Sequence, residues 1–149
     1  MLEIEITETA AMRDVGSTAE TLAALRLLGV HVSIDDFGSG YSSLIYLHRF
    51  AVDAIKIDRS FVEGIGVDNH AEAICDAVLR LGQALGTRVI AEGVETAAQL
   101  EFLRRRRCDE AQGYYFARHM PAEDLLAFRS TLRTHPHLAA IGRSDRSSA

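Results

Sequence analysis

Apolar and polar residues alternate from the start of the chain: Leu2, Ile4 and Ile6 are interleaved with Glu3, Glu5 and Thr7. That period of two predicts a strand over 2–7. The period then lengthens. "STAETLAALRLLG" opens with Ser17 and Glu20 in capping-box positions, presents Leu22, Leu25, Leu27 and Leu28 as its apolar face, and stops at Gly29. "VHVSIDD" predicts a second strand, "SSLIYLHRF" a short helix after it, and "VDAIKID", Val52 to Asp58, a third strand. "NHAEAICDAVLRLGQALG" carries Asn69 and Glu72 as caps, ends at Gly86, and sets Ala71, Ile74, Cys75, Val78, Leu81 and Leu85 at helical spacing. "RVIAE" is a fourth strand. Thr96 and Gln99 cap the helix "TAAQLEFLRRRR", "AQGYYF" predicts a fifth strand, and "PAEDLLAFRSTL" a last helix with Pro121 in its first turn. The polar residues 134–149 predict a disordered tail behind a folded unit over 1–133.

Strands and helices therefore alternate, which calls for right-handed crossovers and a parallel sheet covered by helices. The strand ends share a second pattern. They carry Glu5 and Glu8, then Asp35 and Asp36, then Lys56 and Asp58, then Glu92 and Glu95, then Gln112. In parallel βα architectures these ends lie on one face, where sites are built. Singly, each residue has an ordinary reading: Asp35-Asp36 as a turn or helix cap, Lys56 as a surface lysine. Occurring together at five strand ends, they point to one pocket. Adjacent carboxylates repel and resist burial, and divalent cations would offset both costs.

Composition narrows the chemistry. The 149 residues carry 16 Lys+Arg against 21 Asp+Glu, a formal charge of -5, which argues against a grip on a nucleic-acid polymer. Two cysteines, Cys75 and Cys108, make no disulfide framework, and Cys75 falls on an apolar helix face, the place of a buried free thiol. The sequence shows neither a membrane-length apolar run nor a signal-peptide pattern, and a reducing cytoplasm is the expected compartment. The run Arg104–Arg107 reads as a solvated helix C-terminus favoured by the helix dipole. The six histidines have no metal-ligand spacing, and Tyr114, Tyr115 and Phe116 read as strand packing.

Five stretches, "EITE" (Glu5 to Glu8), "DDFGSGYSSL" (Asp35 to Leu44), "KIDRSFV" (Lys56 to Val62), "AEGVET" (Ala91 to Thr96) and "QGYYF" (Gln112 to Phe116), together resemble the EAL domain, the bacterial phosphodiesterase that opens cyclic di-GMP. The likeness runs from Leu2 to about Leu126. It implies an α/β fold, a partial TIM-like (β/α) barrel of about five βα units, and two-metal hydrolysis of a phosphodiester to linear 5'-phosphoguanylyl-guanosine with Mg²⁺ or Mn²⁺. By the same resemblance Glu5 and Asp35 ligate one metal, Asp35 bridges to a second, and Asp36 and Glu92 complete that second site. Lys56 orients the attacking water, and Gln112 contacts the water or metal shell. Glu8 pins the loop, and Asp58 and Glu95 support the ligands. Gly38 and Gly40 let the loop turn sharply. Which of Asp36, Lys56 and Glu92 takes the proton is left open. A homodimer formed near the "DDFGSG" loop is also implied.

The resemblance has gaps. The family's Glu-Ala-Leu segment, its phosphate-binding arginine and the following asparagine-bearing strand have no counterpart. A TIM barrel has eight strands. A fragment, a mis-assigned start and a natural truncation all remain open. The expectation is that this chain alone hydrolyses no significant cyclic di-GMP. A catalytically inactive module that binds cyclic di-GMP or a protein partner is the alternative.

Overall fold

The structure is a computed structural model describing residues 2–38, 47 and 49–134, with side chains through residue 128. Five parallel strands form one sheet in the order β1-β2-β3-β4-β5: β1 (Glu3–Thr7), β2 (His31–Phe37), β3 (Ala54–Ile57), β4 (Arg88–Ala91) and β5 (Glu110–Ala111). Six helices are described: α1 (Glu8–Ala11), α2 (Val15–Leu27), α3 (Arg59–Glu63), α4 (Asn69–Leu85), α5 (Ala97–Arg105) and α6 (Ala122–Thr134). The predicted helix 42–50 falls mostly outside the described residues, as does Gly40.

Register explains the sheet's two faces. Ile6 pairs with Ile34, Ile34 with Ile55, and Ile55 with Val89; all belong to the hydrophobic core or pack against it. The opposite face carries the row Glu5, Ser33, Ala54, Arg88, and beyond it Lys56, Ile90, Glu110. A period of two puts large apolar residues on one face and gives the other its charged residues, interleaved with buried Ser33, Ala54 and Ile90. Cys75 and Cys108 are buried free thiols, as expected for Cys75.

Several boundaries differ from the sequence expectation. The cap of α2 is Asp14, whose Oδ1 accepts the Ser17 N–H at 3.1 Å, so Ser17 lies inside the helix. Leu22 is buried on α2, but Leu27 and Leu28 are 90% and 79% exposed. Leu27 follows Leu22 by five residues, about 140° around the helix. Asp68, not Asn69, caps α4, and Gly86 closes it at φ 69. Thr96 and Gln99 form the expected capping box. The fifth strand stops at Ala111. Beyond it the chain turns back on Val94, whose N–H donates to Gln112 O at 3.0 Å and whose carbonyl accepts from Tyr115 at 2.9 Å. Gly113 makes this approach possible, because a Cβ there would lie 2.3 Å from the Val94 backbone. Helices α1 and α3 were not foreseen. Each follows a strand end that supplies its own cap: Thr7 Oγ1 accepts from Ala10, and Asp58 Oδ1 from Ser60.

Candidate active site

Lys56 lies on β3, the central strand, and is only 6% exposed. Its Nζ stands 2.7 Å from Glu5 Oε1 of β1, 3.3 Å from Asp35 Oδ1 of β2 and 2.5 Å from Glu92 Oε1, just past β4. Gln112, just past β5, donates from Nε2 to the same Glu92 oxygen at 2.8 Å. All five strands thus contribute to one cluster at their C-terminal ends. Burial works against the Lys56 charge. The hydrogen bonds to Glu5 and Glu92 and the charges of Glu92 and Asp35 outweigh it and hold the ammonium well above the ordinary lysine range.

A strict pleat would send Asp35 and Asp36 to opposite faces. Here the β2–β3 register shifts between Ile34 and Phe37, and Asp36 takes φ 54. Aspartate tolerates the left-handed region better than most residues. The bulge turns Asp36 toward Asp58, with which it shares a hydrogen bond. Burial, the Asp35 charge and that bond raise the Asp36 carboxyl above its usual range. Asp58 moves the other way: burial pushes it up, but hydrogen bonds from the Ser60 side chain and backbone and from Asp36 bring it below the usual range. Glu8 is 2% exposed, and its Oε2 accepts the Gly38 N–H at 3.1 Å, which ties α1 to the start of the "GSG" loop.

The donor set suits a hard divalent cation: the converging groups are carboxylate oxygens, and buried Asp35 Oδ1 meets the Lys56 ammonium at 3.3 Å without a hydrogen bond. Among the described residues, no three acid, imidazole or thiol groups already surround one point at ligating distance. Glu5, Asp35 and Glu92 gather on the Lys56 ammonium instead, and Asp36 is drawn to Asp58.

Beside the cluster a cavity of about 440 Å³ is lined by Glu92, Gln112, Arg59, Glu95, Tyr114 and His119, among others. Arg59 is missing from the sequence-derived site. It follows Lys56-Ile57-Asp58 at the strand end, the one signal that could have found it. Its guanidinium binds Glu95 Oε1 at 2.8 Å and also Glu63. Gly93, at φ 72, makes room for the Arg59 stem; a Cβ there would come within 2.4 Å of Arg59 Cγ.

The family model described as the EAL domain matches residues 1–119. The chain belongs to the EAL domain family. A curated relative, the bifunctional diguanylate cyclase/cyclic di-GMP phosphodiesterase MucR of Pseudomonas aeruginosa, is 48% identical over 126 residues, which is 85% of this chain and 18% of that protein. A solved structure, the PaMucR phosphodiesterase in complex with c-di-GMP, superposes with a TM-score of 0.81 at 48% identity, over 83% of this chain and 50% of that one. Klebsiella pneumoniae BlrP1, solved as a manganese/cy-diGMP complex, superposes at 0.72 with 40% identity, over 78% of this chain and 30% of that one. This EAL chain therefore spans under a fifth of the length of that curated relative and half of the MucR structure. The fold is the α/β, TIM-barrel-like one of the EAL domain. Among the described residues, no helix is long and apolar enough to cross a membrane.

Proposed function

We propose that the domain to which these strands belong is a cyclic di-GMP phosphodiesterase, cleaving one 3'-5' phosphodiester to give linear 5'-phosphoguanylyl-guanosine. The observation that carries this reading is the convergence of Glu5, Asp35 and Glu92 on Lys56 at the C-terminal ends of parallel strands. It is supported by the likeness to a phosphodiesterase solved with c-di-GMP. Mg²⁺ or Mn²⁺ held by Glu5, Asp35, Asp36 and Glu92 would supply Lewis acidity and lower the pKa of a bound water. The chain's own residues do the rest. Lys56, kept as an ammonium by its three acids, donates hydrogen bonds: it orients the attacking water and faces charge building on the phosphoryl oxygens. Gln112 holds the Glu92 carboxylate from one side. Glu8 holds Gly38, and Asp58 holds Asp36, so the "DDFG" turn keeps its shape. The Glu95–Arg59 pair shapes the wall of the adjoining cavity.

The compartment we assign is the cytoplasm, where two buried free thiols persist. Self-association near the "DDFGSG" loop is part of the proposal; residues 39–46 of that loop lie outside the described residues. The test is chromatography of products from cyclic di-GMP with Mn²⁺ in excess. Two proteins are compared: the 149-residue chain, and the same chain joined to the remaining half of the MucR EAL domain. The joined protein should turn over and lose activity in Glu92→Gln, and the chain alone should not. If the joined protein folds and binds Mn²⁺ but stays inactive, the non-catalytic binding module replaces this reading.

A further inference from the structure

The reaction above makes no use of Arg104–Arg107. A solvated helix end accounts for only part of this run. Helix α5 stops at Arg105, and Arg106 and Arg107 lie in the turn beyond it, Arg107 with φ 59. A left-handed residue after a helix is most often glycine, so this arginine occupies a backbone position that disfavours it. The turn borders a groove of about 270 Å³ between α4 and α5, lined by Arg80, Gln83, Arg105, Arg106 and Arg107 together with Asp76. Because α5 leads away from the end of β4 and its turn precedes the start of β5, the groove lies toward the opposite rim from Lys56.

The way the guanidiniums are held is what matters. Asp76 accepts from Arg80 Nε at 2.7 Å with one oxygen and from Arg106 Nε at 3.0 Å with the other. Arg105 gives its Nε to Glu101 at 2.9 Å. Arg106 also lies over the Phe102 ring, 3.5 Å from its centroid, and Gln83 Nε2 donates to the Arg106 carbonyl at 3.0 Å. In each of the three side chains the inner nitrogen is engaged. Among the described residues, their terminal Nη nitrogens have no hydrogen-bond partner. One carboxylate thus sets two guanidinium forks side by side, their donor ends unbonded among the described residues. Four guanidiniums face two carboxylates, a local positive surplus on a chain of formal charge -5.

We propose that this groove binds a phosphate-bearing anion. The Nη groups of Arg80, Arg105 and Arg106 bond its oxygens, and Arg107 adds charge beside them. Free donor forks favour phosphate oxygens, which accept two parallel hydrogen bonds from one guanidinium. The phosphate can belong to a soluble anion or to a lipid headgroup, and the experiment has an arm for each.

Titration calorimetry of the 149-residue chain with sodium pyrophosphate is run in a chelator, so that divalent cations at the strand ends play no part. This keeps the result independent of the proposed phosphodiesterase activity. Saturable binding that weakens with salt is expected, falling about tenfold or more in Arg80→Gln and in Arg106→Gln. Arg107→Gly separates charge from folding: it should raise the thermal midpoint by relaxing the backbone, yet weaken binding. In the second arm the chain is floated with phosphatidylglycerol or phosphatidylcholine vesicles. Capture by the first alone, lost in Arg80→Gln, assigns the phosphate to a lipid. No saturable binding to either probe overturns the proposal, as does full-strength binding in a folded Arg80→Gln/Arg106→Gln variant. If that double variant does not fold, undiminished binding in Arg107→Gly overturns it.

Discussion

Replacing Lys56 by methionine tests the centre of the site without needing turnover. The change keeps the apolar stem and removes an ammonium that meets acids at 2.7, 3.3 and 2.5 Å. Charge-assisted hydrogen bonds are typically worth about 1.5–3 kcal/mol each. The Glu5 side chain is 53% exposed, so its share is strongly screened, and Asp35 and Glu92, at 23% and 20%, carry most of the effect. Allowing for the desolvation that lysine no longer suffers, the net loss is about 2 kcal/mol. For a chain of this length that lowers the thermal midpoint by about 5–8 °C at pH 7. The folded pKa of Lys56 lies above its unfolded value of about 10.4. Its contribution is therefore complete below that pH and is lost only as pH rises through the folded value. The deficit should hold steady from pH 7 to 9. Mn²⁺ should restore part of the midpoint in Lys56→Met, since a cation would answer the same three charges. Circular dichroism melts with and without Mn²⁺ measure all of this. An unchanged midpoint at pH 7 would refute the view that the acids are held together by this ammonium.

In the joined EAL protein, Asp35→Asn should reduce turnover to background at saturating Mg²⁺ or Mn²⁺, and substantial residual activity would remove Asp35 from the ligand set. Gly82→Ala should destabilise the chain by about 1–3 kcal/mol in urea titration, because its Cβ would fall 2.2 Å from Val89 Cγ2; a neutral effect would mean that α4 can move off β4. Burial pushes the Cys75 and Cys108 thiols up to about 12, so at pH 8 a disulfide reagent should react with them only as fast as the protein opens. Two fast equivalents in the native protein would contradict that packing. Light scattering of the chain should show self-association, and a monomer at high concentration would count against the proposed dimer.

Strand identity was legible because burial on one sheet face imposes a period of two, and Ile4, Ile6, Val32, Ile34, Ile55 and Val89 keep it. Helix starts were less so. Ser17 and Asn69 have the right chemistry for caps, yet Asp14 and Asp68 lie upstream with equal claim, and only the path of the chain decides between them. Leu27 and Leu28 looked like core because leucine usually is, but helical geometry turns Leu27 away from Leu22. The site residues stood out because chemically capable side chains recur at successive strand ends. Sequence could not show that Lys56 gathers three acids or that Asp36 turns to Asp58, since the first depends on neighbouring strands and the second on a bulge. Arg59 was missed because one arginine after a strand has no periodic signature.

The strand order 1-2-3-4-5 has a consequence for how the molecule comes apart. Among the described residues each strand pairs only with its neighbours in the chain, so the sheet behaves as a linear array whose units are held by adjacent ladders. Opening at either edge breaks one ladder and leaves the rest intact. Protection against hydrogen exchange should thus climb from β1 and the two-residue β5 toward β3, whose four residues are all buried. Lys56 sits at that most protected point, while Glu5 belongs to an edge strand. Fraying of β1 would withdraw one acid from the cluster while Asp35, Lys56 and Glu92 stayed in place. In this chain alone the site can thus lose a single member by local opening, well below the free energy of global unfolding.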